Sequence, residues 1–359
     1  MSKEKEEINN YNNLLKNLIY DDQCTYFVSK KSKIGYYFPM FSETKYSECD
    51  INDYLNFNDS VNKIIIKFEE KLKDNFPGDY LSNFNNNLKS LGFYDDRLNF
   101  FKRITDLVKS GGAIAYYDMF NNDLHVFDNV CSDKDFEHIL MHELLHMTST
   151  SNIINCGLNS IVMTSKNKII SFGDGLNEGY TEYLLSKYFD IPKNSVFYKE
   201  QVQMAKMIEK MVGKDLMEKS YFKSGLITII NKLSELSSCD LAIDTLLSID
   251  KTTYRSSEYG NRRIFKDARK NISDIFISKL NKELEDGIID DDTYHTSKYI
   301  NCDVYRFFNY SFTKGNTTLS FDCDDKVYIL DDVGKSLTCS PTREYANYVK
   351  NKKLTKYTY

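Results

Sequence analysis

The stretch His142-Glu143-Leu144-Leu145-His146 decides how the rest of this chain is interpreted. Residues four apart on an α-helix lie on one face, about 6 Å apart along the axis, so both imidazoles can converge on one ion. Neutral imidazole is a good zinc ligand. Glu143 can reach a water on the metal without binding the metal itself, which is the general-base position of the H-E-x-x-H pattern. The spacing therefore predicts a zinc site with a catalytic glutamate.

The residues around this motif predict a packed helix over 133–147. Its first turn is acidic, as is typical of a helix start. Five apolar side chains recur at helical spacing and give the helix a face to bury: Phe136, Ile139, Leu140, Leu144 and Met147. His138 lies about 12 Å along the axis from His146, too far for both to bind one ion, because zinc–nitrogen bonds are about 2 Å long. We expect His138 to be a helix-face residue or a partner of a ligand.

A pair of acids follows in the segment 177–182, whose sequence is N-E-G-Y-T-E. The apolar spacing that continues to Tyr188 predicts a helix, so Glu178 and Glu182 share one face near its start. A catalytic zinc needs a third protein ligand and a position open to water. These acids can supply that ligand, and an ordinary solvated helix start is the alternative interpretation.

Together, the two motifs resemble those of the gluzincin group of zincin metallopeptidases, the thermolysin-like and collagenase-like enzymes, over about residues 112–190. In that group H-E-x-x-H precedes a second helix with an N-E-x-x-x-D or E-G-x-x-E pattern, whose first acid binds zinc. The resemblance implies that Glu178 is the third ligand and that Glu182 orients a ligand histidine, for which we expect His142. It also implies a zincin-like catalytic core with a small mixed sheet, and zinc-dependent hydrolysis of a peptide or protein substrate.

Two strand-like segments, 113–117 and 123–127, flank an Asn-rich turn and predict a hairpin before the motif helix. Zincin folds are similar in having an edge strand there, to which an extended peptide substrate adds through main-chain hydrogen bonds. We place this substrate edge strand at Leu124, His125, Val126 and Phe127. His125 alternates with hydrophobic residues, which favours a surface or packing role over metal binding.

The segment after the second motif is expected to be helical and, by the resemblance, to form the other wall of the cleft. Thermolysin-like enzymes take from that half a tyrosine or histidine that stabilises the oxyanion. Three residues lie in the corresponding part of this chain: Tyr254, Tyr259 and His295. No motif distinguishes any of them, so a structural role is the alternative for each.

The expected fold is α+β and mainly helical, in four regions. These are a mostly helical N-terminal region (1–110), a zincin catalytic core (111–190), a helical subdomain (191–295) and a small β-rich appendage (296–359). Strand-like segments at 304–312, 317–321 and 326–330 predict the appendage. A second hairpin, 160–164 with 168–172, is expected to return the chain so that Glu178 faces the histidines.

Composition narrows the class of protein. Hydrophobic residues make up 41% of the chain and charged residues 28%, as in a soluble globular protein. The net charge of −5 argues against nucleic acid as the main partner, and no apolar run approaches the roughly 18–20 residues of a membrane span. The charged N-terminus has no apolar secretory signal, so we expect a cytoplasmic protein, with a removed signal or secretion by another route as the alternatives. The eight cysteines are scattered without a C-x-x-C pair, which favours free thiols.

Two functions are compatible with these features. The first is a zinc metallopeptidase, and the second is a zinc-stabilised binding or regulatory protein without turnover. Glu143 favours the first, because a structural zinc site needs no general base. No G-x-M-E-N-type exopeptidase signature lies near the predicted edge strand, which favours internal cleavage.

Overall fold

The chain forms a mixed α+β structure that is mainly helical, which confirms the predicted class. The computed structural model describes residues 3–40, 59–95, 115–126, 133–192, 197–253, 262–298, 318–321 and 327–330. The helices in these ranges are α1 (Lys3–Tyr20), α2 (Asp59–Asn75), α3 (Gly78–Lys89), α4 (Asp133–Ser149), α5 (Asp174–Tyr188), α6 (Lys199–Val212), α7 (Lys214–Phe222), α8 (Leu226–Leu236), α9 (Cys239–Thr253), α10 (Arg262–Glu285) and α11 (Asp291–Lys298). The strands are β1 (Cys24–Ser29), β2 (Ile34–Pro39), β3 (Gly92–Asp95), β4 (Ala115–Asp118), β5 (Asp123–Val126), β6 (Thr150–Asn152), β7 (Asn155–Cys156), β8 (Asn159–Thr164), β9 (Ile169–Phe172), β10 (Thr318–Phe321) and β11 (Val327–Leu330).

The larger sheet connects the two motif helices. Its strands follow the order β1-β2-β8-β7-β6, and β9 also pairs with β8. The second predicted hairpin is confirmed, because β8 and β9 pair antiparallel from Ser160↔Phe172 to Met163↔Ile169. Asn167 lies in the turn at φ 55°, a left-handed conformation that asparagine tolerates. The chain thus leaves α4, runs through this sheet and enters α5 directly after β9.

The smaller sheet has the order β3-β5-β4 and corrects the predicted substrate strand. Leu124, His125 and Val126 form β5, which pairs with β3 on one side and β4 on the other. The prediction of an edge strand there is wrong for these residues, and Phe127 lies outside the described residues. The hairpin pattern alone could not show the error, since β3 comes from a segment well upstream. Within the described residues, β4 pairs only with β5 and forms one edge of this sheet, and β3 forms the other.

Helix α4 is buried along the whole motif, since every residue from 138 to 149 is shielded from solvent. Its apolar face joins the main core, and α3 satisfies carbonyls at its C-terminal end, which have no partner within the helix. The Asn87 side-chain amide donates to the carbonyl oxygens of Met147 (2.7 Å) and Thr150 (3.1 Å). Asn83 donates to Thr148 in the same way. These bonds fix the end of the helix that carries the histidines.

Helix α5 is held at its start by Asp250 of α9 and approached closely by α6. The Asp250 carboxylate accepts the backbone N–H groups of Gly173 (2.9 Å) and Gly175 (3.0 Å), which are unpaired donors at a helix N-terminus. Gly179, within the second motif, faces the backbone of α6: a Cβ added there would lie 2.3 Å from the Gln201 carbonyl oxygen. The glycine therefore lets α6 pack against the helix that carries Glu178.

One connected hydrophobic core extends from Phe27 to Leu280 and draws on the first three predicted regions. The domain boundaries themselves stay a prediction. In the appendage, β10 and β11 pair antiparallel near two of the predicted strands, and the segment 304–312 lies outside the described residues. Cys24, Cys156 and Cys239 are free thiols, as expected. Among the helices that the structure describes, none combines the length and apolarity needed to cross a membrane.

Candidate metal centre

Three side chains from the two motif helices converge on one point. His142 Nε2 lies 3.0 Å from His146 Nε2 and 3.0 Å from Glu178 Oε2, and His146 Nε2 lies 3.3 Å from Glu178 Oε1. Zinc–ligand bonds of about 2.0–2.1 Å in a tetrahedron place neighbouring ligand atoms about 3.3 Å apart. The spacing and the donor types therefore fit a zinc ion, and among the described residues this is the group that could hold one.

The charges at this point also suit a cation. Burial lowers the pKa of His142, but its hydrogen bonds to Glu178 and Glu182 outweigh this and raise the pKa to about 10. Burial conversely raises the pKa of Glu178, but His146 and His142 outweigh it and lower the pKa. With neutral imidazoles, the buried carboxylates would lack a counter-charge, which a divalent ion supplies.

Glu182 lies behind His142, on the side away from the other ligand atoms. Its Oε1 accepts the Nδ1–H of His142 at 2.6 Å, and the carboxylate is fully buried. This bond places the proton on Nδ1 and directs the lone pair of Nε2 toward the metal position, as a partner of a zinc-bound histidine does. His138, one turn earlier on α4, donates from Nε2 to both Glu182 oxygens at 3.1 Å. It is thus a partner of the acid that orients the ligand.

His146 is held by a residue of the second motif that the sequence did not single out. The Asn177 side-chain nitrogen lies 3.1 Å from His146 Nδ1, while its oxygen accepts the Leu158 N–H at 2.8 Å. The sulfur of Cys156 lies 4.0 Å from the same ring nitrogen. Asn177 therefore connects the ligand to the turn between β7 and β8. The N-E spacing of the motif could have indicated this role, since it places Asn177 next to Glu178.

Glu143 lies on α4, next to His142, and interacts with β4 of the smaller sheet. Burial raises the pKa of its carboxyl, His142 and His146 lower it in part, and the net shift is upward. The backbone N–H of Tyr117, on β4, donates to this carboxylate. Glu143 does not belong to the three-atom group that could hold an ion. Glu143 thus lies beside the three candidate ligands without being one of them.

Tyr198 is a residue of the site that sequence analysis missed. It immediately precedes α6 in a left-handed conformation (φ 47°, ψ 38°), and its ring centroid lies 6.1 Å from that of His142. The negative charge of Glu178, then burial, and then Glu143 raise the pKa of its hydroxyl, so it stays protonated and can donate a hydrogen bond. No sequence signal marks it, because the chain has 27 tyrosines and this one stands outside both motifs.

Of the three oxyanion candidates named from the sequence, His295 is the one that lies within the described residues. Tyr254 and Tyr259 lie outside the described residues. His295 lies on α11, and its Nε2 is 3.5 Å from Asp291 one turn earlier on the same helix.

In comparisons with protein-family models, curated proteins and solved structures, the chain finds no match.

Proposed function

We propose that this chain is a zinc-dependent peptidase with a zincin-like core, in which His142, His146 and Glu178 hold the ion. One observation carries the proposal: three donor atoms converge at zinc-ligand spacing beside a buried glutamate that is not a ligand. A zinc ion held by these residues would supply Lewis-acid chemistry, lowering the pKa of water and polarising a carbonyl oxygen.

Glu143 is the proposed general base and later the general acid. Its pKa is raised by burial, which brings it closer to neutral pH, where a group can both take and return a proton. It accepts a proton from the attacking water and passes that proton to the amine that leaves. The hydrogen bond from the Tyr117 N–H holds the carboxylate in place. This N–H takes no part in either proton transfer, so the bond persists throughout the reaction.

The substrate strand is proposed to lie along β4. Because the Tyr117 N–H reaches Glu143, it points away from β5 and toward the open edge of the sheet. In an antiparallel strand the N–H and C=O of one residue point to the same side, so the Tyr117 carbonyl also faces that edge. A peptide that adds to β4 would thus bring its backbone alongside Glu143, which is the recognition mode of strand addition.

Tyr198 is proposed to donate its O–H to the oxyanion. We expect Tyr198→Phe to lower kcat by about 10²–10³-fold, the usual effect of losing one such donor. Zinc content and melting temperature should stay unchanged, because phenylalanine keeps the ring and has the same backbone preferences. Steady-state kinetics with metal analysis measure both, and Tyr20→Phe, 89% exposed on α1, is the control. Wild-type kcat in Tyr198→Phe would assign the donor to another residue.

Metal analysis of the purified chain combined with an unbiased peptide-library screen tests the function. We expect about one zinc per chain and internal cleavage that a chelator abolishes and zinc restores. Because His142 has a pKa of about 10 and must be neutral to bind metal, zinc uptake at pH 7 should release protons, and affinity should rise with pH. Zinc without cleavage under varied conditions would instead identify a zinc-stabilised binding or regulatory protein. Absence of zinc binding would refute both.

A further inference from the structure

The Glu182 carboxylate binds more than the ligand histidine. Its Oε2 accepts the backbone N–H of Phe197 at 2.7 Å, while His142 donates to Oε1 and His138 donates to both oxygens. Orienting a metal ligand requires only the bond to His142. The bond from the Phe197 N–H connects the site to the segment 197–198, which leads into α6. His138 binds the same carboxylate from α4.

Phe197 is held a second time, through its ring. The rings of Phe197 and His138 stack with centroids 4.5 Å apart and planes inclined by 15°. Phe197 is 36% exposed, whereas His138 is 3% exposed, so the imidazole forms the buried base on which the phenyl ring lies. Phe197 thus contacts Glu182 through its backbone N–H and His138 through its ring.

The residue that follows, Tyr198, adopts a conformation that it would not hold alone. A tyrosine at φ 47° is disfavoured and persists where the surrounding structure over-determines it. The two contacts of Phe197 on one side and the first hydrogen bond of α6 on the other, from Val202 N–H to the Tyr198 carbonyl at 2.9 Å, provide this restraint.

We propose that His138 is a positioning residue that clamps Glu182 and the Phe197 ring together, and thereby holds Tyr198 beside His142. The role of Tyr198 in turnover rests on the proposed function, whereas the clamp does not. Because clamp and metal ligand share one carboxylate, loosening the clamp should weaken metal binding, and metal binding should tighten the clamp.

Two substitutions separate the parts of the clamp. His138→Phe keeps a flat ring that can stack on Phe197 but cannot donate to Glu182. His138→Gln keeps a donor but loses the ring. The control is Glu137→Gln on the same helix, since Glu137 pairs with Lys67 on the surface.

Hydrogen exchange read by mass spectrometry, on the full chain with and without zinc, is the first measurement. We expect His138→Phe to exchange about tenfold faster than wild type over residues 197–202, which corresponds to losing a hydrogen bond to a charged group. Residues 140–145 of α4 should keep their protection. Zinc affinity by chelator competition should fall by about 10- to 100-fold, the usual scale for a partner of a ligand. His138→Gln should restore part of both, and Glu137→Gln should match wild type.

Wild-type exchange over 197–202 in His138→Phe would overturn the proposal. So would a uniform loss of protection that includes α4 in both variants, because His138 would then be a general packing residue. If the proposed function is wrong, the wild-type chain will show neither zinc binding nor cleavage. Hydrogen exchange in the metal-free protein will still report on the clamp in that case. If the chain is a peptidase, His138→Phe should lower kcat more than it changes KM, and Tyr198→Phe should add little to it.

Discussion

We expect Glu143→Gln to keep about one zinc per chain and to lose hydrolysis by about 10²–10⁴-fold or more, the contribution typical of a general base. The amide cannot accept the proton of the attacking water, and it cannot return a proton to the leaving amine. Its oxygen can still accept the Tyr117 N–H, so the side chain should stay in place. Metal analysis and steady-state kinetics on the same preparation measure the two effects.

The folded state should tolerate this change. Burial raises the pKa of the Glu143 carboxyl above its value in the unfolded chain. The charged form is therefore disfavoured in the folded state, and stability falls as pH rises from the unfolded pKa to the folded pKa. A neutral amide avoids this cost, so the melting temperature of the metal-free protein should not decrease. Glu137→Gln is again the matched control, and wild-type turnover in Glu143→Gln would end the proposed mechanism.

The two acids of α5 should behave differently, although sequence spacing leaves them nearly equivalent. Glu178→Ala should abolish tight zinc binding, because it removes one of the three atoms that could hold the ion. Glu182→Gln should bind zinc about 10- to 100-fold more weakly, because it orients His142 without touching the metal position. Chelator competition gives both affinities. In Glu178→Ala the melting temperature should also lose its dependence on zinc, because metal no longer binds the folded state preferentially.

Glutamine is chosen at position 182 because alanine would remove more than one contact. Glu182→Ala would leave the buried donors of His138, His142 and Phe197 without an acceptor, which lowers stability independently of metal. A solvated helix start, the alternative interpretation of both acids, predicts no effect on zinc from either change. Outright loss of zinc in Glu182→Gln with wild-type affinity in Glu178→Ala would reverse the two roles.

Local features of this structure were readable from the sequence. Helix α4 begins at Asp133 as predicted, and His142 and His146 share a face because residues four apart always do on a helix. The hairpin of β8 and β9 followed from alternating apolar residues around a turn. The sequence also predicted that Glu178 and Glu182 share one face of α5, because they are four residues apart.

Long-range packing decided the rest. The N-E-G-Y-T-E pattern predicted Glu178 as a ligand. The approach of Glu178 to the histidines, however, depends on Asp250 at the start of α5 and on the close packing of α6 that Gly179 permits. Whether β4 lies at an edge of the sheet depends on the strand with which β3 pairs. Tyr198 reaches the site because Phe197 is bound to Glu182, a contact between chain segments with no shared pattern. Helical and strand periodicity encode which residues share a face, whereas the free energy of packing between distant segments selects which faces meet.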